Sequence, residues 1–122
     1  MSTWPAIRLS NGRQGPWGVA IANTSHDPIY DVAVGRPRGV TQNGTNIDAI
    51  SLTLKVLPPG VYFLDPKDKG DDMLTAVSPA GLKPIFRNID YCAELTFRDS
   101  SSAMWRRLRN GQLSSAEATG AP

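Results

Sequence analysis

The sequence predicts an all-β protein, two antiparallel sheets packed as a sandwich of about seven to eight strands. Three observations predict it. Apolar residues recur at every second position in several separate segments, the period of a strand half-buried against a core. The 11 Gly and 10 Pro among 122 residues are spread along the whole length and leave few uninterrupted windows for a helix. Turn chemistry returns roughly every ten residues, a spacing that suits a sandwich better than a parallel α/β sheet.

Residues 1–16 read as an irregular N-terminal leader, residues 17–113 as the β-sandwich domain and residues 114–122 as a flexible C-terminal tail of small and polar residues. In the leader, Gly12, Gly15 and Gly18 form a GxxGxxG pattern with no strand before it, no helix after it and no lysine for a phosphate. It is therefore read as turn chemistry and not as a nucleotide loop. Trp4, with Ile7 and Leu9, either packs on a sheet edge or forms a docking peptide.

The first expected strand covers residues 17–23, where Trp17, Val19 and Ile21 alternate with the small Gly18, Ala20 and Ala22. Asn23, Thr24, Ser25, His26, Asp27 and Pro28 then form a turn, because Asn, Ser and Asp side chains bond nearby backbone and Pro28 restricts Asp27. A second strand over residues 29–35 puts Tyr30, Val32 and Val34 on one face. After a polar stretch over 36–46, residues 50–57 give the strongest alternation, with Ile50, Leu52, Leu54 and Val56 inward. Pro58, Pro59 and Gly60 stop that strand, Gly60 being free to take a positive φ.

Residues 61–64 form a short strand, residues 73–77 a strand or a helical turn, and residues 83–88 an extended edge. Residues 91–98 alternate again, with Tyr91, Ala93, Leu95 and Phe97 inward. A hairpin loop over 99–102 leads to residues 103–108, with Trp105 as the core anchor. Trp17 is placed in the core on the same grounds of phase.

Residues 23–34, the turn Leu57, Pro58, Pro59, Gly60, and the run Leu95, Thr96, Phe97, Arg98, Asp99 through to Trp105, Arg106, Arg107, Asn110, Gly111, Gln112 and Leu113 carry a resemblance. They resemble the immunoglobulin-like or fibronectin type III-like sandwich domains of uncharacterised actinobacterial proteins. In that group a strand ending in Phe and Asp turns through small polar residues into a Trp followed by arginines. The resemblance implies an Ig-like fold, a bacterial origin and a place as a cytoplasmic module of a larger or membrane-attached protein. Its motifs are turn and core signatures and carry no active site. Antibody domains differ in having a paired cysteine and an inner-strand Trp.

Charge and composition narrow the function classes. A formal charge of +2 is far below the basic density with which proteins displace counterions from nucleic acid, so no nucleic-acid partner is expected. No run reaches the ~20 apolar residues of a membrane span. The single Cys92 and single His26 provide no metal-ligand spacing, so no metal and no cofactor is expected, and a lone cysteine suits a reducing compartment. His26 reads as an exposed turn residue and Cys92 as a small filler between strands. Asn23 and Asn43 each open an N-x-S/T pattern, taken as chance in a cytoplasm.

Two clusters remain. Asp65, Asp68, Asp71 and Asp72 gather four carboxylates that could hold a hard cation, but the spacing is not that of an EF-hand, and Lys67 and Lys69 neutralise them. Arg98, Arg106, Arg107 and Arg109 form a basic strip that could meet an acidic protein or anionic headgroups. On a strand, however, Arg107 shares the face of Trp105 while Arg106 points the other way, and pairing with Glu94 competes. Three readings compete for the whole: a non-catalytic protein-interaction or scaffolding module, a structural subunit of a surface or phage-like assembly, and a small hydrolase using the Asp65 loop with Asp48 or Glu94. The module is preferred, because a sandwich presents open edge strands and end loops to a partner, and sandwiches of this size rarely enclose the cleft that paired carboxylates need.

Overall fold

The computed structural model describes residues 1–68, 73–85 and 91–115. It is an all-β protein with two five-stranded antiparallel sheets and a separate two-stranded hairpin. In chain order the strands are β1 (Ser2–Ser10), β2 (Arg13–Asn23), β3 (Ile29–Arg36), β4 (Gly39–Val40), β5 (Asn46–Ile47), β6 (Ile50–Leu57), β7 (Gly60–Leu64), β8 (Leu74–Ala76), β9 (Leu82–Pro84), β10 (Glu94–Arg98), β11 (Met104–Arg107) and β12 (Leu113–Ser115). One sheet runs β8-β7-β2-β1-β9, the other β12-β11-β10-β3-β6, and β4 pairs with β5. The sandwich is as the alternation predicts, with more strands than the seven or eight expected.

The added strands are β1, β4, β5 and β12. The supposed leader is strand β1, which pairs with β2 through a two-residue turn between Ser10 and Arg13. Asn11 and Gly12 sit in that turn at φ 53° and 76°, the positive values a tight hairpin of this twist requires. Pro5 is tolerated inside β1 because its carbonyl accepts from the Ile85 amide, on the β9 side of the strand. Its missing N–H faces that same side, so the ladder to β2 is intact. At the other terminus β12 takes in Ser114 and Ser115, the first two residues of the expected tail; residues 116–122 lie outside the described residues.

The main core lies between the sheets. Val19, Ile21 and Leu64 from one sheet meet Ile29, Val32, Val34, Ile50, Leu57, Leu95 and Phe97 from the other, with Ala93 beside them. Removing a side chain such as Leu95 from water contributes roughly 1.5–3 kcal/mol. Trp105 packs on this core half-buried, as its phase predicts. The alternation fails at one place in each of two strands. Asp31 takes φ 49°, and the pairing of β3 with β6 skips Asp31 and Lys55. Beyond the skip Ile29 and Leu57 point inward, while Tyr30 is half-buried and Val56 is 48% exposed, where the plain period had placed both inside.

A second, smaller core covers the other face of β1 and β2. Ala6, Ala20 and Phe63 form it, with Trp4, Val77 and Leu82 packed around. Trp4 therefore packs on the sheet and is not a free docking peptide. The small residues of β2 have a steric reason: a Cβ on Gly18 would collide with the Leu64 carbonyl oxygen and come within 2.8 Å of the Phe63 ring.

Candidate functional site

An open cleft of about 800 Å³ lies at one end of the sandwich. The elements that meet there are the first half of β2, the end of β3, the β4–β5 hairpin, the loops after β7 and β9, and the approach to β10. Gly44 at φ 80° closes the β4–β5 turn, with its amide donating to the Thr41 carbonyl at 3.0 Å and Thr41 bonded in turn to the Thr45 carbonyl. This hairpin falls in the polar stretch over 36–46, where no strand was expected. It supplies Thr41, Asn43, Thr45 and Asn46 to one wall.

Aromatic rings form another part of the lining. Trp17 keeps the strand phase expected of it but lies outside both cores and is 47% exposed. Its partner is Tyr91, ring centroids 5.2 Å apart and planes tilted by 52°. Tyr91 precedes β10, which begins at Glu94, so neither aromatic is buried between the sheets as the alternation suggested. Arg36, the last residue of β3, is buried at 5% exposure and is one of the residues that line the cleft. Its Nε and Nη2 donate to the Asp48 carbonyl at 3.0 and 2.8 Å, and its Nη1 to the Tyr91 carbonyl at 3.0 Å. Burial pushes its proton affinity down, and the Asp48 charge partly restores it. Sequence reasoning passed over Arg36; the signal was an arginine at the inward phase of an apolar strand, after Val32 and Val34.

The four arginines of the expected strip do not form one surface. Arg98 and Arg106 lie on the outer face of their sheet and pair with carboxylates, Arg98 Nε with Asp31 at 2.8 Å and Arg106 Nε with Glu94 at 2.9 Å. Arg98 also lies over the Tyr30 ring, 5.3 Å from its centroid. Arg107 faces the other way, donating from Nε to the Met1 carbonyl and from Nη1 to the Gly111 carbonyl. Arg109 Nε donates to the Cys92 carbonyl at 3.1 Å. The split between Arg106 and Arg107 is the one that strand geometry predicts, and the Glu94 pairing is present.

Of the remaining candidates, His26 is exposed in the turn after β2. Cys92 is half-buried; burial pushes its thiol up, opposed by the charges of Arg109 and Arg36. In the carboxylate loop Asp65 Oδ1 accepts from the Lys67 amide at 2.9 Å, an ordinary turn contact, while Asp71 and Asp72 lie outside the described residues. No group of three or more potential metal ligands occurs among the described residues. Asn23 is 2% exposed and its amide donates to the Asp27 and Leu57 carbonyls, so its N-x-S pattern is structural. No described helix is long and apolar enough to cross a membrane.

The fold and the cleft define a β-sandwich with an open cleft at one end. No protein-family model matches this sequence, and neither the curated proteins nor the solved structures contain a significant match to it.

Proposed function

We propose that this chain is a non-catalytic protein-interaction module of a larger bacterial protein, working in the cytoplasm on an Ig-like frame. The strand order supports the frame. Leaving aside the short strands, the first, second and fifth long strands (β1, β2, β7) are neighbours in one sheet, and the third, sixth and seventh (β3, β10, β11) are neighbours in the other. Those are the neighbour relations of an Ig-type sandwich, with β6 added beside β3 as in the variable type.

The observation that carries the interaction role is the edge formed by β6. Its eight residues pair with β3 on one side and with no described strand on the other. It contains no Pro and no Gly, and its one charge is Lys55. Natural edges of this length are usually shortened, charged or covered, because their unpaired N–H and C=O groups are a template for another strand. The stretch before the skip at Lys55 is regular, and its inward Leu52 and Leu54 are only partly buried. An extended segment of a protein partner can add there, bonding main chain to main chain and covering both leucines.

Residue-resolved amide exchange tests this. In the free protein, alternate amides of β6 exchange quickly and their neighbours, bonded to β3, slowly; a bound partner slows the fast set. Uniform protection of β6 in the free protein would remove the proposal. Protection of the fast set that rises with protein concentration alone favours the second reading, a subunit that assembles with copies of itself through the same edge.

A further inference from the structure

The end cleft holds a positive charge whose donors the protein only partly uses. A guanidinium carries five N–H groups. In Arg36 the contacts to the Asp48 and Tyr91 carbonyls use Nε, one N–H of Nη2 and one of Nη1. One N–H on each terminal nitrogen is left with no protein acceptor among the described residues. All the acceptors are neutral carbonyls, and neither of the ion pairs among the described residues includes Arg36. A buried cation with unmade donors is costly, and the cost falls when an anion takes both donors at once. A carboxylate or a phosphate does so with two parallel bonds.

A second observation concerns the same space. Trp17 and Tyr91 stand together at the cleft wall, their rings tilted to each other, and Trp17 is about half exposed. Aromatic faces of this kind receive a third planar group by offset stacking. Lys67 at the rim adds another positive charge to the approach.

We propose that the end cleft binds a small planar anion, a ring carrying a carboxylate or a phosphate, with the anionic group on Arg36 and the ring against Trp17 and Tyr91. This site is separate from the β6 edge and stands or falls independently of strand addition there.

The test uses the full chain labelled with nitrogen-15 and follows the arginine Nε and tryptophan indole signals. Benzoate and adenosine monophosphate are titrated beside their uncharged counterparts, benzamide and adenosine, and beside the ringless acetate and inorganic phosphate. Saturable shifts at both Arg36 and Trp17 are expected from benzoate or the monophosphate, with binding about tenfold or more tighter than that of either kind of control. The stronger of the two anions distinguishes carboxylate from phosphate. Trp17→Ala should weaken binding roughly three- to tenfold with an unchanged melting temperature, since this residue belongs to neither core. Arg36→Lys removes the fork and should abolish binding; if that variant fails to fold, Trp17→Ala and the uncharged controls decide. No saturable shift from either anion, equal binding of benzamide or adenosine, or shifts centred on Arg98 and Arg106 would overturn the proposal.

Discussion

The indole Nε1 of Trp105 donates to Oδ2 of Asp99 at 2.9 Å, across the turn that joins β10 to β11. The other oxygen of the same carboxylate accepts from the Ser101 amide at 3.0 Å, the Ser101 hydroxyl at 2.8 Å and the Ala103 amide at 3.0 Å. One side chain thus folds the loop and sets the ring that lies over the edge of the main core. The Asp and Trp of this run are, in this structure, a hairpin device.

These bonds favour the ionised form, and the Asp99 carboxyl is held below its ordinary value, first by the Trp105 indole and then by Ser101. A carboxylate lowered on folding contributes stability that is fully present above the unfolded value, about 3.9, and is lost as the pH falls through the folded one. Asp99→Asn keeps an acceptor and removes the charge. Thermal melts from neutral pH down to about pH 2 should show a shallower acid limb in the variant than in the native chain. Superimposable acid limbs would show that the carboxylate contributes nothing through its charge.

Gly18→Ala should be among the most damaging small substitutions. The added Cβ meets the Leu64 carbonyl oxygen, which belongs to the β7 backbone and cannot swing aside, and lies 2.8 Å from Phe63 Cζ. Overpacking of this kind costs about 1–3 kcal/mol. Gly81→Ala is the control, because a Cβ there meets nothing within 4 Å. Urea unfolding of both variants should separate them clearly; equal midpoints would mean that β2 and β7 can move apart at little cost.

Asn23→Ala should also destabilise, for a polar reason. The Asn23 side chain donates to the Asp27 and Leu57 carbonyls, each at 3.0 Å, and accepts from the Ser25 amide and hydroxyl at 3.1 and 2.6 Å. It closes the turn between β2 and β3 and ties the end of β6 to it. Truncation leaves the Leu57 carbonyl without this donor in a buried place, at a cost of about 1–3 kcal/mol. The measurement is again a denaturant midpoint, compared with Thr24→Ala, whose side chain is exposed in the same turn.

Where the sequence could be read and where it could not follows from what each signal encodes. Period-two alternation reports a strand with one face on a core, so the inward Val19, Ile21, Val32, Val34, Leu95 and Phe97 were legible. Strand β1 has neighbours on both faces, with Ala6 in the outer core and Ile7 also buried, and its pattern is blurred accordingly. The neglected signal was Asn-Gly. Asn11-Gly12, Asn43-Gly44 and Asn110-Gly111 each stand at a hairpin turn, and each glycine has a positive φ. Together they mark β1–β2, β4–β5 and β11–β12, three hairpins absent from the strand reading. The cleft was less legible because Trp17 and Tyr91 have the phase of core residues, yet Trp17 lies in the exposed first half of β2 and Tyr91 lies before β10 begins.

The arginines on the outer face lead to a prediction of small effect. The Arg106–Glu94 pair is 2.9 Å long with side chains 45% and 39% exposed, so water and salt screen it and both side chains lose freedom in forming it. Arg106→Ala should change stability by less than about 1 kcal/mol. Arg106→Glu places two carboxylates side by side and should cost slightly more, by an amount that shrinks in high salt. Both effects are read from melts at low and high ionic strength. The same Arg106→Glu protein, passed over vesicles of anionic lipid, asks whether this face meets a membrane surface. Because Glu94 already occupies Arg106 and Asp31 occupies Arg98, retention should be weak in the native chain and little changed by the reversal. Strong retention lost on reversal would instead make this sheet face the partner surface and move the interaction away from the β6 edge.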